Sequence, residues 1–318
     1  MTIPTRSDFR ESLVIGSRGS PLALFQARWV QARLREAGAR PEIRIVRTGG
    51  DRSPSIPLAS GTMVGIFVRE IEEELLAGRI DLAVHSLKDL PLVQPEGLRI
   101  AAVPLREDPS DVLILLEGGS LADLPGGAVV GTGSPRRIGQ LRFLRPDLRF
   151  EPIRGNVDTR VRKLREGGVG ALILAAAGLN RLDIQGVVRW PLPFAMMLPA
   201  PGQGALGIEI RAADAALAVF LRDRLEDPTA SAATRAERAF LKALGGGCQM
   251  PVGALGIVEG SELFLRGAVA APDGSRVFRD EERGDPAGAE SIGTRLGERM
   301  IASGAAELIA PGSRGTTP

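Results

Sequence analysis

Three observations predict an α/β fold. Short aliphatic strands alternate with amphipathic helices along most of the chain. A unit of strand, glycine-rich turn, Ser-Pro and helix occurs twice, at 13–21 and 129–135. From about residue 226 the pattern changes to hairpin strands and a last helix, which reads as a small α+β domain. With 318 residues and 44% hydrophobic content, the chain is long enough for two or three domains, each with its own core.

The elements follow in order. Leu13-Val14-Ile15 reads as a strand, followed by the turn Gly16-Ser17-Arg18-Gly19. Ser20 as N-cap and Pro21 at N1 open a helix whose Phe25, Trp29 and Ala32 are expected to share the packed face. A second helix is expected over Val68 to Ala77, with Ile71 and Leu75 inward and Glu72 to Glu74 solvated. Gly78 ends it, and Leu82-Ala83-Val84 is a buried strand running into His85-Ser86-Leu87-Lys88-Asp89. In open α/β sheets ligands collect just beyond the carboxyl ends of strands, where this segment falls.

The second half repeats the plan. Val129-Val130 is a strand, Gly131-Thr132-Gly133 a turn, Ser134 an N-cap and Pro135 the N1 residue, with Arg136 and Arg137 in the first helical turn. The repetition suggests two similar domains, each presenting a helix N-terminus whose free N–H groups and dipole attract anions. Two arginines oppose that dipole, so they are either solvated or paired with an anionic ligand. Phe150 to Ile153 leads into Arg154-Gly155-Asn156 and a helix carrying Arg160, and Leu172-Ile173-Leu174 leads into Ala177 to Arg181. Three strand ends therefore deliver arginines. A helix over Thr234 to Leu244 runs into Gly245-Gly246-Gly247-Cys248. Strands at Ala254 to Val258, Glu262 to Val269 and Arg276 to Arg279 precede a final helix over Glu290 to Ser303.

Composition narrows the chemistry. The Val169 to Leu179 run is too short to cross a bilayer, and the charged first residues show no secretory signal. A single cysteine excludes an internal disulfide, and a cytosolic protein is expected. Of 40 basic residues only Lys88, Lys163 and Lys242 are lysine. Arginine's planar fork grips carboxylate or phosphate with two parallel hydrogen bonds, although a GC-rich genome would also favour it. Cys248, on a glycine loop, has the steric access of a reactive thiol and not the packing of a structural one. One Cys and one His make a poor metal set, so no metal is expected. Lys88 and Asp89 are either a solvated turn or a cation with a carboxylate able to stabilise positive charge. His85 reads as a satisfied strand-end histidine.

The blocks IGSRGSPLAL (15–24), AVHSLKDLP (83–91), VGTGSPRR (130–137), IRGNVDTR (153–160), LAAAGLNRL (174–182), PAPGQGALGIE (199–209) and GGGCQMPVG (245–253) resemble porphobilinogen deaminase (hydroxymethylbilane synthase) in family order, over nearly the whole chain. The resemblance implies two type II periplasmic-binding-protein-like α/β domains flanking a cleft, and a small C-terminal domain. The implied boundaries are 1–104 with 205–225 returning to it, 105–204, and 226–318. It further implies a transferase that adds four porphobilinogen molecules head to tail, releasing ammonia and then linear hydroxymethylbilane, on a dipyrromethane cofactor held by thioether to Cys248. By matched position Asp89 is the catalytic carboxylate. Arg18, Arg136, Arg137, Arg154, Arg160 and Arg181 hold acetate and propionate groups, with Ser20, Lys88, Thr132 and Ser134 in support. A cytoplasmic monomer without nucleic-acid or membrane partners is expected.

Three positions depart from the family pattern. Val64 and Ser60 stand where lysines are usual, within a flap expected over Arg52 to Phe67, and Gly133 stands where serine is usual. A non-catalytic polycarboxylate binder of the same fold is the competing reading, and a hydrolase using Cys248 and His85 a third.

Overall fold

The structure, a computed structural model, describes residues 12–47, 68–247 and 250–309. Two compact units result: Met1–Glu107 with Gly204–Ser231, and Asp108–Gln203 with Ala232–Pro318. In chain order the elements begin β1 (Ser12–Ser17), α1 (Pro21–Glu36), β2 (Arg40–Ile45), α2 (Arg69–Leu76), β3 (Leu82–Ser86) and β4 (Leu98–Ala102). Next come β5 (Asp111–Leu115), β6 (Val129–Gly131), α3 (Pro135–Leu144), β7 (Arg149–Glu151), α4 (Val157–Arg165), β8 (Ala171–Ala175), α5 (Ala176–Arg181) and β9 (Val188–Pro191). The chain finishes with β10 (Leu206–Arg211), α6 (Ala215–Leu225), α7 (Pro228–Ala243), β11 (Val252–Glu259), β12 (Glu262–Ala270), β13 (Val277–Gly284) and α8 (Ala289–Ala302).

The two larger sheets share one plan. In the first, ordered β2-β1-β3-β10-β4, β1 is parallel to β2 and β3 while β10 is antiparallel to β3 and β4. In the second, ordered β7-β6-β8-β5-β9, β6 is parallel to β7 and β8 while β5 is antiparallel to β8 and β9. The sequence repeat is thus a repeat of topology. In both sheets the antiparallel inner strand is the one entered where the chain passes between units, at 107–108 or 203–204. A third sheet, β11-β12-β13, is antiparallel throughout and packs against α8. Its first hairpin turns through Gly260-Ser261, with Gly260 at φ +61°, a conformation that glycine adopts without Cβ strain.

The helix caps form as expected. Ser20 accepts from the Ala23 N–H at 3.3 Å and Ser134 from the Arg137 N–H at 3.5 Å, each with proline following. Two facing assignments are corrected. The buried stripe of α1 is Gln26, Ala27, Val30 and Leu34, while Phe25 and Ala32 are exposed. The aliphatic residues fit beneath the helix against β1, β3 and β10, and the aromatics set the wrong phase. Glu72, expected in solvent, is buried on α2 beside Ile71 and Leu75.

Candidate active site

In each larger sheet the parallel strands end together, so the segments leaving them gather at one edge. In the first unit these are the ends of β1 and β3. Ser17, fully buried, donates its hydroxyl to the Ala23 carbonyl at 3.2 Å and ties the β1 end to the first turn of α1. Arg18 is half-buried between that anchor and the Ser20 cap. After β3 the chain makes a short 3-10 turn, Leu87–Asp89. It is held by the Leu87 N–H donating to the Ala205 carbonyl at 3.0 Å, with the Gln26 amide donating to Ser86 Oγ at 2.9 Å just before it. Leu87 and Leu90 are buried, so the alternate residues Lys88 and Asp89 are pushed outward, Lys88 half-buried and Asp89 exposed. The structure therefore brings Arg18, Ser20, Lys88 and Asp89 to one sheet edge, as neighbouring parallel strands require.

In the second unit β6, β7 and β8 are parallel neighbours, so their carboxyl ends deliver Thr132 and Ser134, Arg154 and Arg160, and Arg181 to a common edge. Thr132 is buried. Its N–H donates to the Glu151 carbonyl at 2.9 Å, and its hydroxyl oxygen accepts from the Ser134 N–H at 3.3 Å. Arg154 and Arg160 are half-buried, and the Arg160 Nε donates to the Gly155 carbonyl at 2.8 Å. Arg181 closes α5 and is also half-buried.

Arg136 and Arg137 stand differently. Both guanidinium groups are buried and turned onto Asp111, the fully buried first residue of β5. Arg136 Nη1 donates to Asp111 Oδ2 at 2.5 Å and to the Leu198 carbonyl at 2.8 Å. Arg137 donates through Nε at 3.0 Å and Nη2 at 2.7 Å to Asp111 Oδ1, and through Nη1 to the Ile173 carbonyl at 2.8 Å. Gln203 adds an amide donor to the same carboxylate at 3.0 Å. Burial alone would raise the Asp111 carboxyl. The charges of Arg136 and Arg137, with hydrogen bonds from Arg136 and Gln203, outweigh it and hold the group well below the usual carboxylate range. The anion that relieves two arginines at a helix N-terminus is thus a side chain of the same unit. Sequence reasoning passed over Asp111, although a lone acid heading the apolar strand DVLIL was the available signal.

Cys248 and the expected flap over Arg52 to Phe67 lie outside the described residues. The approach to Cys248 is described: α7 ends at Ala243, Gly245 takes φ +97° and Gly246 φ +61°, and a Cβ on Gly245 would have no neighbour within 4 Å. No cluster able to hold a metal ion occurs among the described residues.

Two family models cover the chain: the porphobilinogen deaminase dipyromethane cofactor binding domain matches residues 13–219, and the porphobilinogen deaminase C-terminal domain matches 232–302. The chain belongs to the porphobilinogen deaminase family. Among porphobilinogen deaminases, that of Desulforudis audaxviator is 49% identical over 95% of this chain and 98% of its own. The protein from Syntrophobacter fumaroxidans is 48% identical over 93% and 96%, and that from Roseiflexus castenholzii 48% over 95% and 99%. The cofactor binding domain match, residues 13–219, spans both larger sheets. An ancestral cationic amino acid solute binding protein of known structure aligns over 67% of this chain and 87% of its own, at 17% identity and TM-score 0.41.

Proposed function

We propose that this chain joins four porphobilinogen molecules head to tail, with loss of four ammonia molecules, and releases linear hydroxymethylbilane by hydrolysis. One observation carries the reading: in each larger sheet the parallel strands deliver guanidinium and hydroxyl groups to one edge of that sheet, and in the first unit the exposed carboxylate Asp89 stands among them. Porphobilinogen carries two carboxylates, so a chain of several pyrroles is a polyanion that needs many fixed cations. Arg18, Arg154, Arg160 and Arg181 grip those carboxylates, supported by Ser20, Lys88, Thr132 and Ser134. Arg136 and Arg137, clamped by Asp111, leave one surplus positive charge in the second unit.

The donor set fits the dipyrromethane cofactor, which on this reading hangs by a thioether from Cys248. When bound, it supplies the free pyrrole α-carbon at which the product grows. Asp89 accepts pyrrole N–H bonds and stabilises the positive charge that develops on the incoming unit as ammonia departs, the one place where a negative group is needed. The chain acts as a cytoplasmic monomer in this proposal, and no helix among the described residues is long and apolar enough to cross a membrane.

Intact-protein mass measured before and after adding porphobilinogen tests the reading. The purified chain should exceed its sequence mass by two pyrrole units and gain further units stepwise with substrate. A mass equal to the sequence, unchanged by substrate, would leave a polycarboxylate binder instead.

A further inference from the structure

The first unit buries three titratable side chains that the proposed chemistry does not use. Glu209 in β10 is fully buried, and among the described residues neither of its carboxylate oxygens has a hydrogen-bond partner. His85, the only histidine of the chain, is buried on β3 with Nε2 3.3 Å from Glu209 Oε2, an ion-pair distance. Glu72 of α2 completes the group, its Oε1 also buried without a hydrogen bond. Burial pushes the Glu72 carboxyl up, and the charge of Glu209 pushes it further, against a smaller opposing effect of His85.

The elements packed on this layer leave few alternatives for balancing the charge. In β4, Arg99 pairs with Ile210 and so projects from the opposite face to Glu209. Arg211 is committed to Asp81, Asp214 and the carbonyls of Leu75 and Ile80. In α2, Arg69 pairs with Glu73 and Glu74 with Arg79, all at the surface. Neither β1 nor the rest of β3 carries a charged residue. An ionised carboxylate without counter-charge in such a place is strongly unfavourable.

Position gives the cluster its consequence. His85 lies opposite Gly207 in the β3–β10 ladder, and Gly207 is the residue over which the turn folds: a Cβ there would meet Leu90 at 2.9 Å and Leu87 at 3.1 Å. Leu87 and Leu90 pack in one cluster with Val68, one turn before Glu72. The buried cluster therefore sits directly beneath the turn that presents Lys88 and Asp89.

We propose that His85 is a positioning residue, paired with Glu209 in a buried contact beside Glu72 that locks the ends of β3 and β10 and so fixes where Asp89 stands. This rests on the catalytic role proposed above for Asp89.

Because the chain has one histidine, the 15N imidazole spectrum of the full-length protein carrying its pyrrole adduct reports His85 alone. In Glu209→Gln the imidazole nitrogen shifts should move away from their wild-type values, because the carboxylate 3.3 Å from Nε2 is replaced by a neutral amide. Turnover should show kcat lower by about ten- to a hundredfold at KM within about twofold, the signature of a misplaced group and not of lost binding. The double variant with His85→Gln should lose no more than the worse single variant. Identical imidazole spectra in wild type and Glu209→Gln, wild-type kcat, or multiplying losses would each overturn the proposal. If Glu209→Gln does not fold, His85→Gln gives the second reading, a lower kcat at held KM supporting and a wild-type kcat overturning. The spectrum needs no substrate, so it decides the His85–Glu209 contact even if the chain fails to polymerise porphobilinogen.

Discussion

Asp89 and Asp111 are both aspartates near strand ends, yet solvent assigns them opposite work. Asp89 is exposed on a turn whose leucines do the packing, so Asp89→Ala should leave the thermal transition in place. It should still cut kcat by about 10²–10³, the typical cost of deleting a group aimed at developing charge. Wild-type product formation by that variant would end its assigned role. Asp111 is fully buried between two guanidiniums, and Asp111→Asn leaves those cations facing each other without a counter-charge. A loss of about 3–5 kcal/mol is expected in urea unfolding. Its depressed carboxyl gives stability that is complete above the ordinary carboxylate pKa of about 3.9 and is lost as pH falls below it, so acid unfolding should begin at higher pH in the variant. Gly133 is the permissive case: a Cβ there meets nothing within 4 Å and its φ is not positive, so Gly133→Ser should fold normally. A lower KM in that variant would show that the missing hydroxyl matters. Residue placements were legible where a residue marked a strand end or cap, as with the Ser20 and Ser134 caps and the position of Asp89 after β3. They were hidden where the partner lay far along the chain, as Asp111 lies from Arg136, or Glu72 from Glu209.

At the scale of elements, local signals sufficed where an element begins or ends on its own chemistry. The Ser-Pro helix starts, the Gly260 hairpin and the turn before β13 all form within a few residues of where the sequence places them. Strands β4, β5, β9 and β10 carried weaker marks. β10 reads LGIEIR with an acid in its centre, and β9 ends in proline. Such segments become strands because neighbours pair with them and not by intrinsic preference. Helix α8 shows the same dependence in its packing. A Cβ on Gly293 would lie 2.2 Å from the Ala236 carbonyl oxygen, and one on Gly297 would lie 2.5 Å from the Ala243 Cβ, so α8 touches α7 through glycine. Gly293→Ala should therefore push apart two helices and cost about 1–3 kcal/mol, despite alanine's better helix propensity. Because Cys248 follows α7 closely in the sequence, the same variant should purify with a smaller fraction of its molecules carrying the proposed pyrrole adduct by intact mass. Full adduct occupancy at a lowered melting temperature would separate packing from cofactor assembly.

For the whole molecule, the decisive feature is that each larger sheet takes an inner strand from beyond a crossing between units. The duplication was visible in the sequence because both copies keep the strand, turn, Ser-Pro and helix signature. The crossings were not, since they depend on pairings as remote as Gly207 with His85. They have a consequence for folding. Within the first unit β10 lies between β3 and β4 and contributes Leu206, Ile208 and Ile210 to the core shared with α1 and α6. A chain ending at residue 107 would leave β3 and β4 without a common partner and the α1 face of the sheet half covered. Such a chain should lack a cooperative thermal transition by circular dichroism. Joining 1–107 to 204–231 through a short flexible linker restores β10 and α6, the remaining members of the unit, and should restore a sigmoidal transition. The segment between 107 and 204 closes a long loop, and replacing it by a short linker lowers the closure entropy only modestly, because that cost rises with the logarithm of length. Restored folding would therefore be attributable to the returning strand. A cooperative transition in the 1–107 chain alone would show instead that the first four strands specify their own sheet, and that β10 joins a structure already formed.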